Sequence, residues 1–238
     1  MSIWTRIADA LSALAMGEGL SVVFDRLRGV QTTPEKSVAF TIAVIALGAK
    51  MAKADGEVTR NEVAAFRQIF AIPPEEEAHA ARVFNLARQD VAGFDAYARK
   101  VAAMFRSEGQ TICADDRNVL IDLLEGLFHI SMADGTFHPG EEAFLQHVAT
   151  IFGLDARCFA TMRARFVEGA PRDPYDVLGV DRDASIEAVR AAWRQAVMDS
   201  HPDAMIARGV PEEAVKLAER RLIAINAAWA EISGKRAA

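Results

Sequence analysis

Apolar residues recur at steps of three and four over most of this chain. The clearest seam lies near the C-terminus, where Val215, Ala218, Leu222, Ile225, Trp229 and Ile232 share one helix face. Upstream, Ile186, Val189, Trp193, Ala196 and Val197 form a second stripe over residues 185–200. Two such seams joined by a short polar link predict an antiparallel helical hairpin. Pro211-Glu212-Glu213 makes a good first turn for the second helix, read over 211–232. Asp183-Ala184-Ser185 offers an N-cap for the first. Before it, Tyr175 and Leu178 stand three apart on a short helix that Gly179 ends. The hairpin leaves His201-Pro202-Asp203 at its open tip, where no core position requires polar residues.

The rest of the chain is equally helical in pattern. Residues 2–15 read as an amphipathic helix with Ile3, Trp4, Ile7, Leu11 and Leu14 on one face. Such a helix either packs back on the domain behind it or touches a membrane surface or a second copy of the chain; its polar face lacks the lysine and arginine of surface anchors. From Pro34 to about Glu168 helix follows helix. Within this region a unit repeats: Ala54-Asp55-Gly56 through Glu62 matches Ala133-Asp134-Gly135 through Glu141. Each copy follows an apolar helical stretch (38–53 and 119–132) and precedes another (62–70 and 141–152), with helices near 75–89 and 91–106 between them. The pattern predicts a pseudo-symmetric helical bundle. Gly169-Ala170-Pro171-Arg172 reads as a linker. The chain therefore divides into an N-terminal helix and linker (1–33), a helical domain (34–168), a linker (169–172) and a C-terminal module (173–238).

Composition agrees with an all-α reading. The 238 residues are 51% apolar, with only 8 prolines and 15 glycines, which favours a folded protein over disorder. The net charge of −6 argues against nucleic-acid binding, which requires a basic face. The two cysteines, Cys113 and Cys158, form no CxxC, as expected of buried thiols in a reducing cytoplasm. No segment reaches the ~18 uninterrupted apolar residues that a membrane-spanning helix needs, and the N-terminus lacks a signal-peptide layout. No phosphate loop, nucleophile–base pair or zinc-ligand cluster stands out, so the sequence does not read as an enzyme.

The repeated Asp-Gly…Glu unit admits two readings. Asp55, Glu62, Asp134 and Glu141 are hard oxygen ligands near turns and are candidates for a divalent cation. The same residues fit helix ends. Gly56 and Gly135 suit a C-cap with positive φ, Thr59 to Glu62 reads as a capping box, and Glu141 and Glu142 favour the positive end of a helix that starts at Pro139. An EF-hand would need further oxygen ligands in the loop. No other cofactor is indicated.

The duplicated unit resembles the tellurite-resistance (TerB-like) helical domain over roughly residues 36–155. Members of that family are suspected of binding metal at the acidic positions. The C-terminal module resembles a J domain. Pro174-Tyr175-Asp176-Val177-Leu178-Gly179-Val180, then Ala192-Trp193-Arg194, then His201-Pro202-Asp203, then Ile225-Asn226-Ala227-Ala228-Trp229 follow the order of that module. A His-Pro-Asp alone would arise by chance in on the order of one chain in a hundred of this length; within these flanking motifs coincidence is remote. The two together, with Gly209-Val210-Pro211 after the tripeptide, resemble the DjlA-type co-chaperones, although the membrane-spanning N-terminus of that family is not evident.

The resemblance implies a regulatory binding protein whose J domain docks on an ATP-bound Hsp70 of the DnaK type and speeds its ATP hydrolysis. The implied docking residues are His201, Pro202 and Asp203, with Arg190, Arg194 and Asn226. The chemistry suits the role: Asp203 can accept charge-assisted hydrogen bonds, Pro202 presets the backbone, and His201 can donate or accept near neutral pH. The docking helix is neutral over 185–200, with Arg190 and Arg194 against Glu187 and Asp199, so long-range steering should be weak. Alternatively the charge has moved to Arg208, Lys216, Arg220 and Arg221 on the opposing helix. The helical domain is expected to serve targeting, client binding or association with a second copy. The competing function is a metal- or stress-responsive module that uses the J domain only for recruitment. The expected location is the cytoplasm, with residues 2–15 as a candidate peripheral contact at the inner face of the membrane.

Overall fold

The computed structural model describes residues 3–12, 20–27, 32–54, 69–70, 72–89, 93–105, 114–132, 135–167 and 173–237. Every regular element among them is helical: α1 (Ile3–Ser12), α2 (Ser21–Arg26), α3 (Thr33–Ala54), α4 (Glu77–Gln89), α5 (Phe94–Met104), α6 (Ala114–Ser131), α7 (Pro139–Phe152), α8 (Ala156–Phe166), α9 (Pro174–Leu178), α10 (Ile186–Asp199), α11 (Pro202–Arg208) and α12 (Val215–Ala237). Single 3-10 turns precede α4 and α12. The all-α reading holds.

α3 is the axis of the helical domain. Ala39, Phe40, Ile42, Ala43, Val44, Ile45, Ala46 and Leu47 are all buried, because α1, α4, α5, α6 and α7 pack around it. A helix that is apolar on every side has no face for solvent. No helix among the described residues is nevertheless long and apolar enough to cross a membrane. The apolar stripe of α1 goes inward: Trp4, Ile7 and Leu11 are fully enclosed against α3 and α4. The candidate membrane contact through residues 2–15 is corrected for the described part of that helix, since its apolar side chains are already buried in the core.

Local capping chemistry accounts for the helix starts. Asp155 accepts from the Cys158 N–H at 2.7 Å and begins α8; Asp173 accepts from the Tyr175 N–H at 2.9 Å and begins α9; Ser185 accepts from the Ala188 N–H at 3.2 Å and begins α10. α7 opens at His138 with Pro139 in its first turn, and Glu141 reaches back to accept from the His138 N–H at 2.9 Å.

The hairpin forms as read, with α10 and α12 packed together over α9. Val177, Leu178, Val189, Ile225, Ala228 and Ile232 make its own small core. Its link is where structure and sequence part. The stretch after His201 is a helix, α11, packed on α3 and α6. Met205, Val210, Ala214, Leu217 and Ala218 join the core of the helical domain. The C-terminal module is therefore fused to the helical domain along the segment that follows its tripeptide. Gly209 makes this approach geometrically feasible. Its φ of +106° is left-handed, and a Cβ there would sit 2.5 Å from Lys36 Cβ.

Candidate partner-docking site

His201-Pro202-Asp203 is the start of a helix rather than a free link. His201 is the N-cap of α11, with extended backbone (φ −66°, ψ 135°), and Pro202 takes the first helical position. His201 Nδ1 accepts from the Asp203 N–H at 3.2 Å, which leaves Nε2–H as the outward donor. Both acidic and basic side chains of the tripeptide face solvent: the His201 side chain is 59% exposed and that of Asp203 is 88% exposed. The loop thus has a fixed backbone and exposed functional ends, with the His201 ring 3.7 Å from the Asp203 carboxylate.

α10 carries Arg190 and Arg194 on successive turns leading to the loop, and both are exposed. The Arg190 guanidinium lies 5.6 Å from the Trp229 ring centre. Trp229 stacks on Trp193 with centroids 5.2 Å apart. Asn226 is exposed on α12, and its Oδ1 accepts from Trp193 Nε1 at 3.0 Å across the hairpin surface. Exposed Met198 and Ile223 add apolar surface on α10 and α12.

The residues that sequence reasoning missed lie behind the loop. Asp122 and Glu125 of α6 are fully buried, as are Arg208 and Arg221 from the C-terminal module. Arg208 Nη2 donates to Asp122 Oδ2 at 2.9 Å, and Arg221 Nη2 donates to Asp122 Oδ1 at 2.6 Å. Arg221 also bonds Glu125 through Nε at 2.5 Å. Arg165 of α8 closes the cluster, with Nη1 3.2 Å from Glu125 and Nε 3.1 Å from the Val177 carbonyl. Burial alone would pull the Arg221 guanidinium down, but Glu125 and Asp122 outweigh it and hold its pKa above the ordinary arginine value. Arg165 is lowered by burial, which Glu125 opposes. The reading that places charge on Arg208 and Arg221 as an outward docking surface is corrected: both guanidiniums point inward to the helical domain. The signal for this was in α6, where two carboxylates three apart interrupt its most apolar stretch. Buried carboxylates require cationic partners.

His129, also on α6, faces Arg220 of α12. Burial, then the Arg220 charge, lowers its pKa to about 4, so it is neutral near pH 7.

Of the candidate cation ligands, Asp55, Glu62 and Asp134 lie outside the described residues. Glu141 is buried and engaged in the cap of α7. Among the described residues no group of three or more metal-ligating side chains converges.

Two family models match in chain order: tellurite resistance protein TerB over residues 41–164 and the DnaJ domain over residues 173–237. Over 221 residues the chain is 28% identical to "Co-chaperone protein DjlA" of Photobacterium profundum, covering 82% of this chain and 77% of that one. The chain belongs to the TerB family, in the DjlA-type arrangement with a C-terminal DnaJ domain. Relatives of the same name in Coxiella burnetii (26% identical, 76% of this chain and 72% of that one) and Escherichia coli K12 (23% identical, 96% of each) agree. No solved structure matches. The coarse role of this DjlA-type chain is that of a J-domain co-chaperone. In it the ion cluster joins the TerB-type domain to the DnaJ domain, and the His201 and Asp203 side chains remain exposed.

Proposed function

We propose that this protein docks on an ATP-bound Hsp70 chaperone through His201-Pro202-Asp203 and accelerates its ATP hydrolysis. The observation that carries the reading is the state of the loop. Its backbone is held as a helix N-cap, while the Asp203 carboxylate stands almost fully exposed. A preset backbone lowers the ordering cost of binding. A free carboxylate can take a charge-assisted pair from a partner arginine. Arg190 and Arg194 extend the contact along α10. Arg190 sits against the indole of Trp229, which restricts its guanidinium and favours a defined contact over diffuse steering. The nucleotide chemistry belongs to the Hsp70; the chain contributes recognition.

The test is single-turnover ATP hydrolysis by the host Hsp70 with and without the full chain. Wild type should raise the rate, and His201→Gln should abolish the increase without unfolding the chain. Absence of stimulation by wild type with every host Hsp70 would sink the reading.

A further inference from the structure

We infer that Asp122 of the helical domain, acting through Arg208, is a positioning residue for the His201-Pro202-Asp203 loop. The helical domain then sets the loop's shape and, through it, the strength of docking. The inference rests on the loop being the docking element.

The geometry is that of a bracket. Arg208 Nη2 donates to Asp122 Oδ2 at 2.9 Å and to the Asp199 carbonyl at 2.8 Å. Asp199 ends the helix before the loop and Arg208 ends the helix after it. One guanidinium nitrogen therefore ties both arms of the loop to the same carboxylate. The Asp199 carbonyl is one of those that the end of an α-helix leaves without an intrahelical partner, and a cation is favoured at that end. Asp122 is itself held from its other oxygen by Arg221 at 2.6 Å, on a helix packed at the centre of the domain. The anchor is fixed, so the bracket transmits position rather than merely neutralising charge.

The packing explains why the bracket matters. A solvent-open cleft of about 370 Å³ borders the end of α10, lined by Asp199, Ser200, Gln195, Arg117, Arg157 and Cys158 among others. On that side, among the described residues, no side chain packs against the last turn of α10, so its position rests on the contacts of its other face. The loop's other hydrogen bonds are local: Ser200 Oγ and N–H to the Ala196 carbonyl at 2.6 and 3.1 Å, the His201 N–H to the Met198 carbonyl at 3.2 Å, the Met205 N–H to the His201 carbonyl at 3.0 Å, and the Asp203 N–H to His201. Met205 and Val210 add apolar packing on the helical domain. Among the described residues Arg208 carries the charged hydrogen bonds from the loop's flanks to the helical domain. Its Nε and Nη2 both meet Asp122 Oδ2, at 3.3 and 2.9 Å, while Nη2 also reaches the Asp199 carbonyl, an arrangement of two fixed nitrogens that a single ammonium does not reproduce.

The experiment compares Arg208→Lys, Asp122→Asn and Arg165→Lys in the full chain. Arg165→Lys weakens the same cluster at Glu125 and the Val177 carbonyl, away from Asp122 and the loop. Two readouts are taken: hydrogen exchange of the His201 and Asp203 amides, and the dependence of Hsp70 single-turnover hydrolysis on co-chaperone concentration. Arg208→Lys should speed exchange of both amides about tenfold, the population change that losing a charged hydrogen bond produces. It should raise the half-maximal concentration by a similar factor with the maximal rate kept. Asp122→Asn should move both in the same direction, and Arg165→Lys should lower the melting temperature and leave both unchanged. The proposal is overturned if Arg165→Lys loosens the loop as much as Arg208→Lys does, or if Arg208→Lys and Asp122→Asn leave the amides unchanged. Should one of those two variants fail to fold, the other decides. Absence of wild-type stimulation would remove the docking reading alone, since the exchange readout judges the bracket without an Hsp70.

Discussion

Arg221 donates from Nε to Glu125, 2.5 Å away and 96 positions earlier in the chain, with both side chains sealed from solvent. An ion pair of this kind adds little net stability over an apolar pair of the same shape, but removing one partner strands a charge. Arg221→Met would leave Asp122 and Glu125 with Arg208 and Arg165 alone. The expected loss is about 3–5 kcal/mol, read as a lower urea midpoint for the full chain. Replacing all five members of the cluster, Asp122, Glu125, Arg165, Arg208 and Arg221, together by apolar residues should recover most of that loss.

Acid should weaken the same join through His129. Its folded-state pKa of about 4 lies below the ordinary value, so the unfolded chain takes up the proton first. Stability is therefore full above pH 6.5, falls as pH drops through that value, and levels off below about 4. The total is about 3 kcal/mol. Urea titrations at pH 7 and 4.5 should show the loss in wild type, and a smaller one in His129→Gln, where no imidazole can take up the proton.

Gly209→Ala combines a strained backbone with a collision against Lys36 Cβ. The left-handed conformation alone costs about 1–3 kcal/mol. Gly234→Ala, at a helical position with open space around it, should stabilise by about 0.5–1 kcal/mol. Thermal unfolding of the two variants should move in opposite directions.

Trp193→Phe removes the indole N–H that Asn226 accepts and weakens the stack on Trp229. The expected cost is about 1–2 kcal/mol. Asn226→Ala should cost about 1 kcal/mol, and the double variant should cost less than the sum, because both changes delete one bond. If the two costs simply add, the hydrogen bond contributes nothing to stability.

Much of the fold was legible from local rules. The seams of α10 and α12 and the caps at Asp173, Gly179 and Ser185 are set by neighbours within a few residues, and periodicity reports such features directly. The stripe of α1 was equally legible, but whether it met lipid or its own core was not, since both environments reward the same pattern. α11 was missed because Ala204 to Arg208 is too short to show a period. Asn226 is exposed, and nothing local reveals its bond to the Trp193 indole 33 positions away.

The sequence by itself determined the helical class, the order of the two units and the identity of the loop. These depend on short-range spacing and on residue types that stay adjacent in the chain. Only the tertiary structure decided that Arg208 and Arg221 turn inward to Asp122 and Glu125, and that the segment after the loop is built into the helical core. The physical reason is that a charged side chain carries no local mark of its partner. An arginine on a helix looks the same whether it faces water or a carboxylate some ninety residues away, and the choice is made when the two units pack and the carboxylates lose their water.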